Sequence, residues 1–163
     1  MPMDLESVRT QELLRLYSEI LSELLRRGVI RSRNAPVGDL AEHLVAISLG
    51  GELAPPSAKS WDVQADGRRL QVKARVIVNG DRRSHNYSVF RSWEFDACVF
   101  VLLDASTYDI VRAVEVPVQG VQMLARETKW VRAFRIGTKV DLLAVPGAVD
   151  RTAELRQALR SLG

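Results

Sequence analysis

Four residues have the types and spacing to do chemistry on a phosphate: Glu42, Asp62, Gln71 and Lys73. Asp62 and Gln71 bracket an Asp66-Gly67 pair. Asp-Gly between two extended runs predicts a two-residue hairpin, because a type I′ turn needs two residues that tolerate positive φ. With Asp66 and Gly67 as the loop, Ala65 pairs with Arg68, Gln64 with Arg69, and Asp62 lies directly opposite Gln71. Side chains alternate faces, so Asp62, Gln71 and Lys73 share one face, while Val63, Leu70, Val72 and Ala74 line the other. Opposed residues have Cβ atoms about 4.5–5.5 Å apart. Turn chemistry alone gathers a carboxylate, an amide and an amine, and a one-residue slip would scatter them. The bland alternative is a polar sheet face turned to water.

Glu42 comes from the preceding helix, expected over 36–49 and stopped by Gly50-Gly51. At 100° per residue, Leu40, Leu44 and Ile47 make the main apolar stripe, widened by Ala41, Val45 and Ser48. Glu42 falls beside Val45, Ala46 and Leu49, away from the polar strip of Asp39 and His43. A buried carboxylate is costly unless it is paired or binds a metal. Glu42 therefore reads either as a rim residue salt-bridged to an arginine or as a ligand. Hard divalent cations take oxygen donors, commonly one or two carboxylates plus substrate phosphate. Glu42, Asp62, the Gln71 side-chain oxygen and the Val72 carbonyl could hold Mg²⁺ or Mn²⁺. Lys73 would stand beside them to orient water or stabilise a pentavalent phosphorane.

The order Glu42, then Trp61-Asp62, then Gln71-Val72-Lys73 resembles the PD-(D/E)xK nuclease superfamily, whose fold is restriction-endonuclease-like. There a helix glutamate precedes a hairpin bearing Asp and then Glu-x-Lys. Here the form is D-(x)8-QxK, similar to the variant of Mrr-like restriction endonucleases and some Holliday-junction-resolvase relatives. The resemblance spans residues 36–104. It implies Asp62 as main metal ligand, Glu42 as a helix-borne ligand, Gln71 in the second ligand position and Lys73 as the catalytic lysine. The implied activity is metal-dependent hydrolysis of DNA phosphodiester bonds, a water activated by the metal attacking phosphorus with Lys73 assisting. Trp61 stands where the motif's name has Pro. Gln71 is uncharged, binds Mg²⁺ less strongly than a carboxylate and cannot act as a base. That supports a second reading, a non-catalytic nucleic-acid-binding module of the same fold. A third is an interaction protein whose cluster is only a polar face.

Around this cluster Lys59, Arg68, Arg69, Arg75, Arg82, Arg83 and Arg91 outnumber Asp66, Asp81 and Glu94. The arginines are candidate phosphate contacts, sequence-independent and salt-sensitive. Tyr87, Phe90 and Trp93 sit among them, either to stack on bases or, with Phe95, as core leading into the next strand. His85 reads as a loop histidine, His43 as surface or ligand-supporting, and Cys98 as core.

The elements that must position these groups fit one domain. The chain has 163 residues, 47% apolar and 26% charged. About 150 residues bury roughly 70% of the unfolded surface. One cysteine excludes a disulfide framework, and two histidines argue against a histidine-rich metal site. A net charge of +3 leans weakly towards a polyanion. An amphipathic helix is expected over 4–27, with Leu13, Leu14, Tyr17, Leu21, Leu24 and Leu25 on one side; it packs on the domain or serves as a homodimer face. Strands are expected over 61–65, 70–78, 97–103 (buried on both faces), 108–116 and 130–134. Residues 79–94 make a polar, basic loop, and helices are expected over 117–126 and 151–162. The whole reads as a single α/β domain over 1–163 with a mixed four- to five-stranded sheet flanked by helices. Residues 1–28 supply the N-terminal helix, 36–104 the core, and 105–163 the elements completing it. No signal peptide or membrane-length apolar run is visible, so a soluble cytoplasmic protein is expected.

Overall fold

The computed structural model describes residues 2–33, 35–130 and 132–162. The side chain of Leu14 lies outside the described residues. Among the described residues a six-stranded mixed sheet has four helices around it. In sheet order its strands are β1 Glu52–Leu53, β2 Val63–Ala65, β3 Arg68–Ile77, β4 Ala97–Asp104, β5 Ile110–Pro117 and β8 Val149–Asp150. Only β3 and β4 are parallel. A separate two-stranded ribbon joins β6 Arg126–Glu127 to β7 Phe134–Arg135. The sheet exceeds the expected four or five strands because β1 and β8 are two-residue edge strands, too short to leave a hydrophobic period.

β4 organises the core. Its first seven residues are buried, and they alternate between two clusters. Val99, Val101 and Leu103 face α2 (Val37–Leu49) and α4 (Thr152–Ser161), meeting Leu44, Val45 and Leu155. Cys98, Phe100 and Leu102 face the other side, under the 85–95 loop, α3 (Val118–Leu124) and the ribbon. A strand covered on both faces needs a continuous apolar run rather than alternation, which is why ACVFVLL reads as it does. Each fully buried large side chain contributes about 1.5–3 kcal/mol.

α2 is apolar nearly all round because the sheet covers one side and α4 another. Gly50 ends it in the left-handed region, φ 60°, and the Gly51 N–H returns to the Ala46 carbonyl at 2.8 Å. Ile47 departs from its expected place in the main stripe: it is 42% exposed, and Ala41 and Val45 are fully buried instead. α1 (Thr10–Arg26) starts later than the expected residue 4, and Leu21 is its buried anchor while Tyr17 is exposed. α3 ends at Leu124, two residues before the expected end, because Arg126 enters β6.

Val131 of the expected strand over 130–134 lies outside the described residues, and of the other four residues only Phe134 belongs to a strand; Trp130 is 96% exposed in the ribbon's turn. No helix among the described residues is long and apolar enough to cross a membrane.

Candidate active site

The hairpin forms in the expected register. Asp66 and Gly67 have φ of 51° and 73°, and Ala65↔Arg68, Gln64↔Arg69 and Val63↔Leu70 pair. Regular pairing stops at Val63. The Asp62 N–H donates to the Leu70 carbonyl at 2.8 Å, while the Asp62 carbonyl accepts the Ala54 N–H at 2.7 Å from the opposite side. In a regular strand both groups of one residue point to the same neighbour, so the chain bends at Asp62, as β-bulges do when they re-aim a side chain.

This bend corrects the expected face-sharing geometry. Asp62 Oδ2 enters the gap between β2 and β3 and accepts two hydrogen bonds, from the Val72 N–H at 2.7 Å and from Gln71 Nε2 at 2.8 Å. The carboxylate stands in for a ladder carbonyl that a straight β2 would have supplied. Because Val72 donates towards that gap, its carbonyl opens onto the same side. The Gln71 amide turns its nitrogen to Asp62, and its oxygen has no partner among the described residues. Burial raises the Asp62 pKa, offset in part by the Val72 N–H, the Lys73 charge and the Gln71 amide.

Glu42 is half-buried on α2 and has no hydrogen bond or ion pair among the described residues. The rim alternative, a salt bridge to arginine, is not formed. Arg31 lies near enough for its charge to act on Glu42, but its guanidinium donates to the Ala54 carbonyl at 3.1 Å. Burial first, then the negative charges of Asp62 and Asp39, raise the Glu42 pKa to about 7. Asp39 is otherwise engaged, its Oδ2 accepting the Arg31 and Ser32 N–H groups.

Lys73 is buried opposite Phe100 of β4. Its Nζ donates to Ser88 Oγ at 3.1 Å and to the Val89 carbonyl at 3.0 Å, and lies 4.8 Å from the Phe90 ring centre. Burial, aided by Arg91, holds its pKa below the usual lysine value. Two of three ammonium donors are thereby used and one is left. The sequence reasoning missed Ser88 and Val89. Their signal was faint, a lysine on an otherwise covered strand that needs polar partners from the loop above it.

The flanking arginines divide sharply. Arg68, a candidate phosphate contact, is ion-paired with Glu115, which also binds Arg151 at 2.7 Å. Arg83 is tied to Asp81 at 3.0 Å. Arg75 donates to the Asn86 carbonyl at 2.6 Å and approaches His85 Nδ1 at 3.3 Å. The other His85 nitrogen is 2.9 Å from Asp81. Arg69 lies over the Trp61 ring at 5.4 Å, while Arg82 and Arg91 are exposed with no side-chain partner among the described residues. The aromatic alternatives resolve as core: Tyr87, Phe90, Trp93 and Phe95 pack on one another and on Phe100. Cys98 is fully buried, and burial pushes its thiol well up, away from thiolate chemistry.

The donors fit a hard divalent cation. The Asp62 and Glu42 carboxylates, an amide oxygen and a backbone carbonyl offer only oxygens, and Glu42 has no counter-charge in contact among the described residues. No group of three His, Cys, Asp or Glu side chains converges among the described residues. A cation here would therefore keep waters or substrate oxygens in its shell, as Mg²⁺ commonly does. No protein-family model and no curated protein matches the chain.

Proposed function

We propose that the protein is a metal-dependent endonuclease of restriction-endonuclease-like fold that hydrolyses DNA phosphodiester bonds. One observation carries the reading: Asp62 is locked in the strand gap by Val72 and Gln71, with an unpaired Glu42 beside it and Lys73 held by the 88–89 loop. Asp62 and Glu42, with the Gln71 oxygen and the Val72 carbonyl, would hold Mg²⁺ or Mn²⁺. Bound there, the ion supplies Lewis-acid polarisation of the scissile phosphate and a lowered pKa for the attacking water.

The chain's own groups do the rest. Val72 and Gln71 fix the Asp62 carboxylate so that no reorganisation is needed when charge develops. The free Lys73 donor orients the water or binds a non-bridging phosphate oxygen as negative charge builds there. Ser88 and Val89 hold that ammonium in place, and Arg69, Arg82 and Arg91 remain for the flanking backbone. Supercoiled plasmid incubated with Mg²⁺ or Mn²⁺ should be nicked by the wild type and left intact by Asp62→Ala and Lys73→Ala at a temperature where both variants remain folded, Asp62→Ala melting lower because the Val72 N–H loses its acceptor. Full cleavage by either folded variant overturns the mechanism.

Gln71 favours one other reading. An uncharged amide, which binds Mg²⁺ less strongly than a carboxylate and cannot act as a base, suits a nucleic-acid-binding module without catalysis. Under it the wild type binds DNA in EDTA and cuts nothing with either metal.

A further inference from the structure

The β6–β7 ribbon contains a pairing that the fold does not explain. Arg126 and Arg135 are directly opposite each other across its two strands. Like charges so placed destabilise a strand pair. Neither guanidinium has a hydrogen bond or ion pair among the described residues, and the same holds for the side chains of Lys129 and Arg132 in the turn. Glu127 is the ribbon's one acid, and strand alternation puts it on the face opposite Arg126. Between the two turn cations stands Trp130, 96% exposed. Trp61 and Trp93 are half-buried, so the largest apolar side chain of the ribbon is the tryptophan given wholly to solvent.

The ribbon is also mechanically joined to the candidate site. Phe90 and Phe134 exchange backbone hydrogen bonds at 2.7 and 3.0 Å, the Tyr87 N–H donates to the Ile136 carbonyl at 3.0 Å, and the Thr138 N–H to the His85 carbonyl at 2.8 Å. The loop so clamped is the one whose Ser88 and Val89 hold Lys73. Between loop and ribbon lies an open groove of about 490 Å³, lined by Arg75, His85, Ser88, Thr128 and Arg135. Ser88 and Val89, which hold Lys73, thus line a polar, cationic groove whose other wall, Thr128 and Arg135, belongs to a basic hairpin tipped with an exposed indole.

We propose that this ribbon is a DNA-contacting finger: Arg126 and Arg135 straddle a backbone phosphate, and Trp130 stacks on an unpaired or unstacked base beyond it. The inference rests on the nuclease reading and adds to it where the polynucleotide runs and what it must present. An anion between the two arginines converts a repulsive pair into a bidentate clamp, and guanidinium suits phosphate geometry. Stacking on indole is tolerant of base identity but demands an accessible π-face. DNA with an unpaired base therefore binds better than a perfect duplex.

The test titrates wild type, Trp130→Ala, Trp130→Phe and Arg135→Ala in EDTA against two fluorescein-labelled DNAs, a perfect duplex and the same duplex with one bulged base. Trp130→Ala should weaken binding to the bulged DNA about tenfold and erase its advantage over the perfect duplex, while Trp130→Phe keeps most of it. Arg135→Ala should weaken both DNAs alike and reduce the salt slope by about one. DNA should quench the wild-type tryptophan fluorescence, and Trp130→Phe should lose that quenching. Wild-type affinity and preference in Trp130→Ala overturn the finger, and plasmid cleavage by the wild type then leaves the nuclease reading standing. A wild type that neither binds these DNAs nor cuts plasmid with Mn²⁺ overturns both.

Discussion

Glu42 is a carboxylate with no cation against it among the described residues, and two measurements expose that. Its folded pKa of about 7 lies above the ordinary 4.5. The folded state therefore holds a proton that the unfolded chain has already released. Stability from that proton is complete below about 4.5 and is lost as pH rises through about 7. With EDTA present, the wild-type melting temperature should fall across this window relative to Glu42→Gln. Mn²⁺ should restore it in the wild type and leave the variant unmoved; parallel curves would show that the groups around Glu42 (Asp62, Asp39 and Arg31) already balance it. Lys73 is the converse case, a cation that burial disfavours. Lys73→Met removes the charge while keeping the stem, and exposed Ser88 can turn to water. The melting temperature should stay level or rise while cleavage falls at least about a hundredfold, the scale for losing one positioned electrostatic stabiliser. Retained cleavage in Lys73→Met would remove Lys73 from the mechanism.

Elements decide whether such residues meet at all. The hairpin that joins Asp62 to Gln71 was legible because Asp66-Gly67 has a physical meaning: both residues occupy positive φ. Gly67→Ala meets no atom within 4 Å, so its cost is backbone strain alone, about 1–2 kcal/mol, read as lower denaturant midpoint with unchanged slope. α2 and the doubly covered β4 were legible from hydrophobic period and run. The bend at Asp62 was not, because a bulge leaves alternation intact on either side of it. Nor were β1 and β8, two residues each, or the ribbon turn, where Trp130 beside Val131 imitates an apolar strand. Yet β1 matters to the site, since its end supplies the Ala54 N–H that holds the Asp62 carbonyl. Gly51 lets β1 approach: a Cβ there would stand 2.5 Å from the Gln64 carbonyl and 2.8 Å from the Ala65 Cβ, both fixed parts of β2. Gly51→Ala must push β1 outward, so cleavage should fall further than the loss of stability alone accounts for. Wild-type cleavage by Gly51→Ala at a temperature where it is fully folded would show that β1 does not set Asp62.

Across the whole molecule the positive charges sort into those consumed by the fold and those left over. Glu115 is buried, and it collects Arg68 from β3 and Arg151 at the start of α4. Burial alone would raise its pKa, but the hydrogen bonds from Arg68 and Arg151 outweigh it and hold the carboxyl below its ordinary 4.5. The stability it adds is therefore present above about 4.5 and lost as pH falls through the lower folded value. Arg68 spends its charge on tying the hairpin to β5, whereas Arg91, exposed and without a side-chain partner among the described residues, spends none. Sequence proximity to Asp62 ranked these two arginines together; pairing separates them. Arg68→Ala leaves Glu115 with Arg151 as its remaining partner. Because the Arg68 side chain is 40% exposed, the loss should be about 1–2 kcal/mol rather than the full cost of breaking a buried pair. DNA affinity at fixed salt should barely change. Arg91→Glu should do the reverse, leaving the melting temperature in place while weakening DNA binding and lowering its salt slope by about two, one for the cation lost and one for the anion introduced. If the effects exchange, Arg68 reaching DNA and Arg91 holding the fold, then the internal ion pair yields to substrate and the basic surface extends across β5.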